Sequence, residues 1–181
     1  MRIISGKYKG RRITAPKNLP ARPTTDIAKE ALFNILNNNY YFNSLSVLDL
    51  FAGIGSISFE FASRGTENIT SVDQHYNSLK FIDKTAKELD LEIKTVKSDV
   101  FKYLEKTTLK HDVIFADPPY DFSKEQFVNI ITLIINNDLL NESGMVIIEH
   151  SKHTDLSDNK YFSHSKKYGG SMFSFFIQSN L

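Results

Sequence analysis

Between residues 45 and 150 short apolar runs alternate with amphipathic segments of helical length. This alternation constrains the fold more than any single motif. "SVLDLFA" (46–52), "NITSVD" (68–73), "LEIKTVKSD" (91–99), "DVIFAD" (112–117) and "GMVIIEH" (144–150) read as strands. "SISFEFASRG" (56–65, stopped by Gly65), "YNSLKFIDKTAKELD" (76–90), "VFKYLEK" (100–106) and "KEQFVNIITLIINND" (124–138) read as the intervening helices. Apolar strands separated by helices imply a parallel sheet covered on both faces. Two further extended stretches, 159–168 and 171–179, are joined by "YGGS", which is short enough for an antiparallel hairpin. The expected architecture is α/β: a doubly wound, mostly parallel, seven-stranded sheet with a reversed terminal strand.

The segment ahead of this unit differs in charge. "RIISG" and "RRITA" flank "KYKG" as a small β-hairpin extension, with Gly10 suited to its turn. Pro16, Pro20 and Pro23 stiffen the connection that follows, and Thr25 or Asp26 caps a helix with Ile27, Ala31, Leu32, Ile35 and Leu36 on one face. The net charge of the chain is only +1. Yet residues 1–25 hold seven basic residues (Arg2, Lys7, Lys9, Arg11, Arg12, Lys17, Arg22) and no acid, against 15 basic and 21 acidic residues in the remainder. Residues 1–25 are therefore expected to form a basic arm that meets a polyanion, on a mildly acidic body of residues 26–181. No apolar run reaches the ~20 residues of a membrane span, and the start has no apolar segment of signal-peptide type. With no cysteine there is neither a disulfide nor a thiolate metal site, so a cytoplasmic address is the default; the sequence carries no signal for a dimer interface, and a monomer is expected.

In doubly wound sheets ligands bind beyond the carboxyl ends of the strands, and carboxylates gather there. "DLFAGIGS" places Gly53 and Gly55 after the first strand, where a missing Cβ lets a ligand approach the backbone. Asp73, Asp99 and Asp117 end strands two, three and four. They suit a nucleoside-bearing cofactor, NAD or S-adenosylmethionine, although helix caps would use the same residue type. "DPPY", Asp117 to Tyr120, favours methyl transfer to an exocyclic amine on a base. Such a nitrogen is a poor nucleophile because its lone pair is delocalised. Asp117 and the Pro118 carbonyl could each accept one amine hydrogen, with Pro118 and Pro119 fixing them before substrate arrives. Tyr120 offers a face for the base to stack on.

"RIISGKYKGRRITAP", "RPTTDIAKEALFNIL", "VLDLFAGIG", "DPPY", "VIIEHSK" and "KKYGGSMFSFF" together resemble, in this order, the RsmD family. These are bacterial methyltransferases of a guanine exocyclic amine in 16S ribosomal RNA. The resemblance implies a Rossmann-like methyltransferase domain over 26–181 that uses S-adenosylmethionine and acts on an assembling small subunit. It implies a cofactor site of Asp49, Phe51, Ala52, Gly53, Gly55, Asp73, Gln74, Asp99 and Val100, with Asp73 on the ribose and Asp99 near the adenine amine. Asp117, Pro118, Pro119 and Tyr120 would be catalytic. Arg2, Lys7, Lys9, Arg11, Arg12, Arg22 and Thr24 would face the RNA. Ile54 departs from the family, which more often has a small polar residue there, and Asp73 stands where glutamate is frequent. The same loop would also serve adenine-amine methylation of DNA, and a fold that had lost catalysis would leave an RNA-binding assembly factor. Glu149, His150 and His153 lack a further metal ligand, so a satisfied strand-end histidine is expected and no metal. Tyr40–Phe42 and "MFSFF" are expected in the core, and Asp83 and Lys87 as a solvated i,i+4 pair.

Overall fold

A computed structural model describes residues 1–19 and 24–178. Seven strands are present among the described residues: β1 (Ser46–Leu50), β2 (Asn68–Asp73), β3 (Lys94–Lys97), β4 (His111–Ala116), β5 (Leu140–Ser151), β6 (Phe162–Tyr168) and β7 (Ser171–Ile177). Five helices lie around them: α1 (Asp26–Asn37), α2 (Ser56–Ser63), α3 (Tyr76–Glu88), α4 (Val100–Lys106) and α5 (Lys124–Asn136). The strands form one sheet in the order β3-β2-β1-β4-β5-β7-β6. The first five strands are parallel, while β7 runs antiparallel to both β5 and β6. The reversed strand is thus the last in the chain but lies one position in from the edge.

Period-2 alternation sorts the strands between two cores. Leu48, Leu50, Ile114, Ala116, Val146 and Ile148 point to the side covered by α4 and α5. Val47, Val113, Phe115, Ile147, Phe173 and Phe175 point to α1 and α2. A third cluster joins α2 and α3 to Ile3 and Ile13 of the N-terminal segment. The order in which successive strands are added reverses between the parallel neighbours β1 and β4, whose ends align as Leu50 opposite Ala116. This is the switch point at which such sheets open a crevice.

Several elements differ from the sequence expectation for identifiable reasons. The N-terminal hairpin forms around one antiparallel bridge, Arg2 to Arg12, with Ile3 N–H donating to Arg11 O, Gly10 N–H to Ile3 O, Ile13 N–H to Met1 O and the Met1 amine to Ile13 O. Packing, buried charge and a Lys7 N–H to Ser63 O hydrogen bond hold this segment to the body. Glu60, fully buried in α2, accepts from Ile4 N (2.8 Å), Ser5 N (3.0 Å) and Arg64 Nε (2.9 Å). Gly6 has φ +82°, and a Cβ there would lie 1.8 Å from Ser63 O, so the segment can run against α2 only with glycine. In α1, Thr25 is the cap, accepting from Ala28 N. Ile27 faces solvent at 76% exposure, and Lys29 takes the inward position at 1%. Lys29 Nζ donates to Arg2 O (2.6 Å) and Ser56 Oγ (3.3 Å) and lies 3.8 Å from Glu60. Burial pulls its ammonium pKa down, and Glu60 opposes that shift. β5 begins four residues early, with a register shift opposite His111–Val113, and β3 is shorter than expected. Phe42, Phe173, Phe175 and Phe176 are in the core, but Tyr41 is exposed. Asp83 accepts from Thr95, and the α3 ion pair is Lys84–Glu88.

Candidate active site

A cleft of about 400 Å³ opens at the switch point, above the carboxyl ends of β1, β2 and β4. β1 delivers Asp49 to its floor and Phe51, Ala52 and Gly53 to its rim. Phe51 has φ +59°, a conformation that side-chain-bearing residues rarely adopt, and such strain gathers at ligand sites. Gly53 has φ +52°, and a Cβ there would meet nothing closer than Phe51 O at 3.9 Å, so its open face leaves room for a ligand. Gly55 behaves differently and does not line the cleft. At φ +78° it caps α2, and a Cβ there would lie 2.9 Å from Ile82 and 3.0 Å from Phe59. The missing Cβ at Gly55 thus serves helix packing, a role the sequence expectation does not include.

The strand-end acids converge here. Asp73 accepts from Gly53 N and His75 N, each at 2.8 Å, tying the first loop to the end of β2. Each carboxylate oxygen keeps a further lone pair for a ligand hydroxyl. Asp99 caps α4, accepting from Lys102 N at 3.0 Å, and also lines the cleft. Gln74 and Val100 complete this wall. Asp49 is buried and accepts from the Ser58 N–H (3.2 Å) and hydroxyl. Burial pushes its carboxyl up to about 7, against the pull of the Ser58 hydrogen bonds and with a further push from Asp73.

β4 ends at the opposite lip. Asp117 is half-buried, Pro118 buried, and Pro119 and Tyr120 exposed, Tyr120 at 63%. All four line the cleft. Phe122 N–H closes a turn onto Pro119 O (3.1 Å), and the Phe122 ring packs edge-on to Phe51 and stacks on Phe101 at 6.1 Å. Phe101 and Phe122 were not anticipated. Their signal was an aromatic two residues beyond each strand-end motif, Asp99 in one case and Tyr120 in the other. Glu149 is also new in this role. It is 6% exposed at the end of β5, lines the cleft, and accepts from Thr24 Oγ1 at 2.8 Å. Thr24 accordingly sits in the cleft wall. His150 beside it has Nδ1 2.8 Å from Ser151 O and Nε2 2.7 Å from Ser174 Oγ, a satisfied strand-end histidine.

Five carboxylates line the cleft (Asp49, Asp73, Asp99, Asp117 and Glu149), while its described lining has no lysine or arginine. Such a field repels the pyrophosphate of a dinucleotide and attracts a sulfonium. Of the two cofactors the glycine loop admits, S-adenosylmethionine fits this donor set. The basic residues lie outside the cleft. Arg2, Lys7, Lys9, Arg11 and Arg12 are on the N-terminal segment, where the Arg2 guanidinium pairs with Asp26 at 2.9 Å; Arg22 lies outside the described residues.

A family model described as Conserved hypothetical protein 95 matches residues 1–177. The ribosomal RNA small subunit methyltransferase D of Buchnera aphidicola (subsp. Baizongia pistaciae) is 31% identical over 150 residues, covering 82% of this chain and 75% of that one. The protein of the same name from Escherichia coli K12 is 29% identical over 157 residues, covering 86% and 77%. Among solved structures, the Escherichia coli protein yhhF superposes with TM-score 0.82 at 25% identity over 97% of this chain and 96% of its own. A Thermus thermophilus 16S rRNA N2 G1207 methyltransferase (RsmC), in complex with AdoMet and guanosine, shares the fold at TM-score 0.69 and 21% identity, covering 89% of this chain and 45% of its own. With a family model spanning nearly every residue, and with relatives of this name on either side of 30% identity, the chain belongs to the RsmD family of ribosomal RNA methyltransferases.

Proposed function

We propose that this protein methylates the exocyclic N2 amine of a guanine in 16S ribosomal RNA, using S-adenosylmethionine, on an assembling small subunit in the cytoplasm. The observation that carries this reading is the position of Asp117. It is a half-buried carboxylate followed by two prolines at the switch point, facing a cleft rich in carboxylates. The names of the relatives favour ribosomal RNA over DNA as substrate.

When bound, S-adenosylmethionine supplies a methyl carbon made electrophilic by its sulfonium. Asp73 would accept from the ribose hydroxyls. Its position is fixed in advance by the Gly53 and His75 amides. Asp99, with the Phe101–Phe122 wall beside it, would hold the adenine. The Asp117 carboxylate and the Pro118 carbonyl accept the two amine hydrogens and localise the nitrogen lone pair. Tyr120, exposed at the lip, stacks on the extruded base, an interaction worth roughly 1–3 kcal/mol. After transfer the nitrogen is cationic and acidic, so Asp117 needs no raised basicity to take its proton. Positioning and electrostatics supply most of the acceleration. Mass spectrometry of digested 16S RNA, with and without the gene, tests the proposal. Loss of one N2-methylguanosine is expected; an unchanged RNA with altered methyladenine in DNA would replace it with the DNA reading.

A further inference from the structure

The N-terminal segment and α3 enclose a groove of about 520 Å³. Arg11 and Arg12 stand on one side, Lys80 and Lys84 on the other, all exposed. The two lysines are spaced i,i+4 and therefore share an edge of α3. Glu88, 3.8 Å from Lys84, is the one acidic residue in the described lining. Among the described residues Arg11, Arg12, Lys17 and Lys80 form no ion pair, in contrast to Arg2. The groove also borders the site through shared lining residues. Arg12, Ile13, Pro16 and Leu19 are shared with a neighbouring hollow that reaches Lys17 and Ile54, and Ile54 in turn lines the active cleft. An acidic cleft that takes a base is thus approached along a cationic track that suits phosphates.

We propose that the sugar-phosphate backbone of the RNA substrate runs along this groove, so that Lys80 and Lys84 of α3 belong to the RNA-binding surface together with the N-terminal segment. The inference rests on the rRNA reading above. Removing two phosphate contacts lowers the slope of log K against log salt by about 1.4–1.8, which at 0.1 M salt is a loss of roughly 25- to 60-fold in affinity. The test measures binding of the full-length protein to small-subunit particles from a strain lacking the gene, across a salt series. It compares Lys80→Gln/Lys84→Gln with Lys87→Gln/Lys94→Gln, which removes the same charge beside a different hollow of the same domain. Loss of affinity and slope in the first pair alone, with unchanged S-adenosylmethionine binding by calorimetry, is the expected result. Equal losses in both pairs, or none in either, overturn the groove while leaving the methyltransferase reading intact. Failure of the unsubstituted protein to bind the particles overturns both.

Discussion

Glu60 is the residue whose replacement most sharply tests how the basic segment is held. Its carboxylate is fully buried, accepts three hydrogen bonds, and faces two cationic side chains, Arg64 and the almost completely buried Lys29. Glu60→Gln keeps the shape and one acceptor oxygen but turns an amide NH₂ toward donors. It also leaves the Lys29 charge without its counter-ion. Breaking a buried pair from one side costs about 3–5 kcal/mol. For a domain of this size each kcal/mol moves Tm by about 2–4 °C, so a fall of roughly 6–20 °C is expected by calorimetry. Native-state hydrogen exchange should show Ile4 and Ser5 losing protection before the sheet. Adding Lys29→Met removes the orphaned charge and should recover part of the loss. A Tm shift under about 2 °C, or a double variant no better than the single, would refute the reasoning.

Cofactor affinity should rise as pH climbs through about 7, because Asp49 ionises there and a cationic ligand favours its charged form; Asp49→Asn should flatten the profile in calorimetric titrations. The same group acts oppositely on stability. Its folded pKa lies above the ordinary 3.8, so the native state holds the extra proton up to about 7 and loses stability across that window as pH rises. Urea midpoints of Asp49→Asn should lack that component. Gly55→Ala should lower Tm, by roughly 1–3 kcal/mol of overpacking against Ile82 and Phe59. Gly53→Ala should chiefly weaken cofactor binding, and the reverse pattern would misassign the two glycines. Tyr120→Ala should reduce kcat/KM on RNA by about tenfold or more, with cofactor Kd little changed, in line with a lost stacking contact; equal losses in both would contradict its place at the lip.

The order of strands and helices was legible because apolar periodicity and strand-end acids obey rules that reach across the chain. Asp73, Asp99 and Asp117 converge because a parallel sheet brings every strand's carboxyl end to one side. What the sequence hid were positions where polarity and burial part company. Ile27 is expected on the packed face of α1 and Lys29 carries no expectation, yet the lysine turns inward, where Glu60 and the Arg2 carbonyl receive it. Glu60 sits in "SISFEFAS", whose composition marks a buried helix without marking the carboxylate as the clamp for a segment some 55 residues away. Gly53 and Gly55 are alike in sequence, and only the neighbours of their absent Cβ atoms separate a ligand-facing glycine from a packing one. The pairing of Thr24 with Glu149 spans 125 residues and has no local signature.

The most direct test of the pre-set acceptor at the end of β4 is single-turnover methylation of small-subunit particles by Asp117→Ala, with cofactor affinity measured on the same preparation. A rate lower by about 10²–10³, the range for losing one pre-organised polar group, with cofactor Kd unchanged, is the predicted result. A rate equal to that of the unsubstituted protein would contradict it.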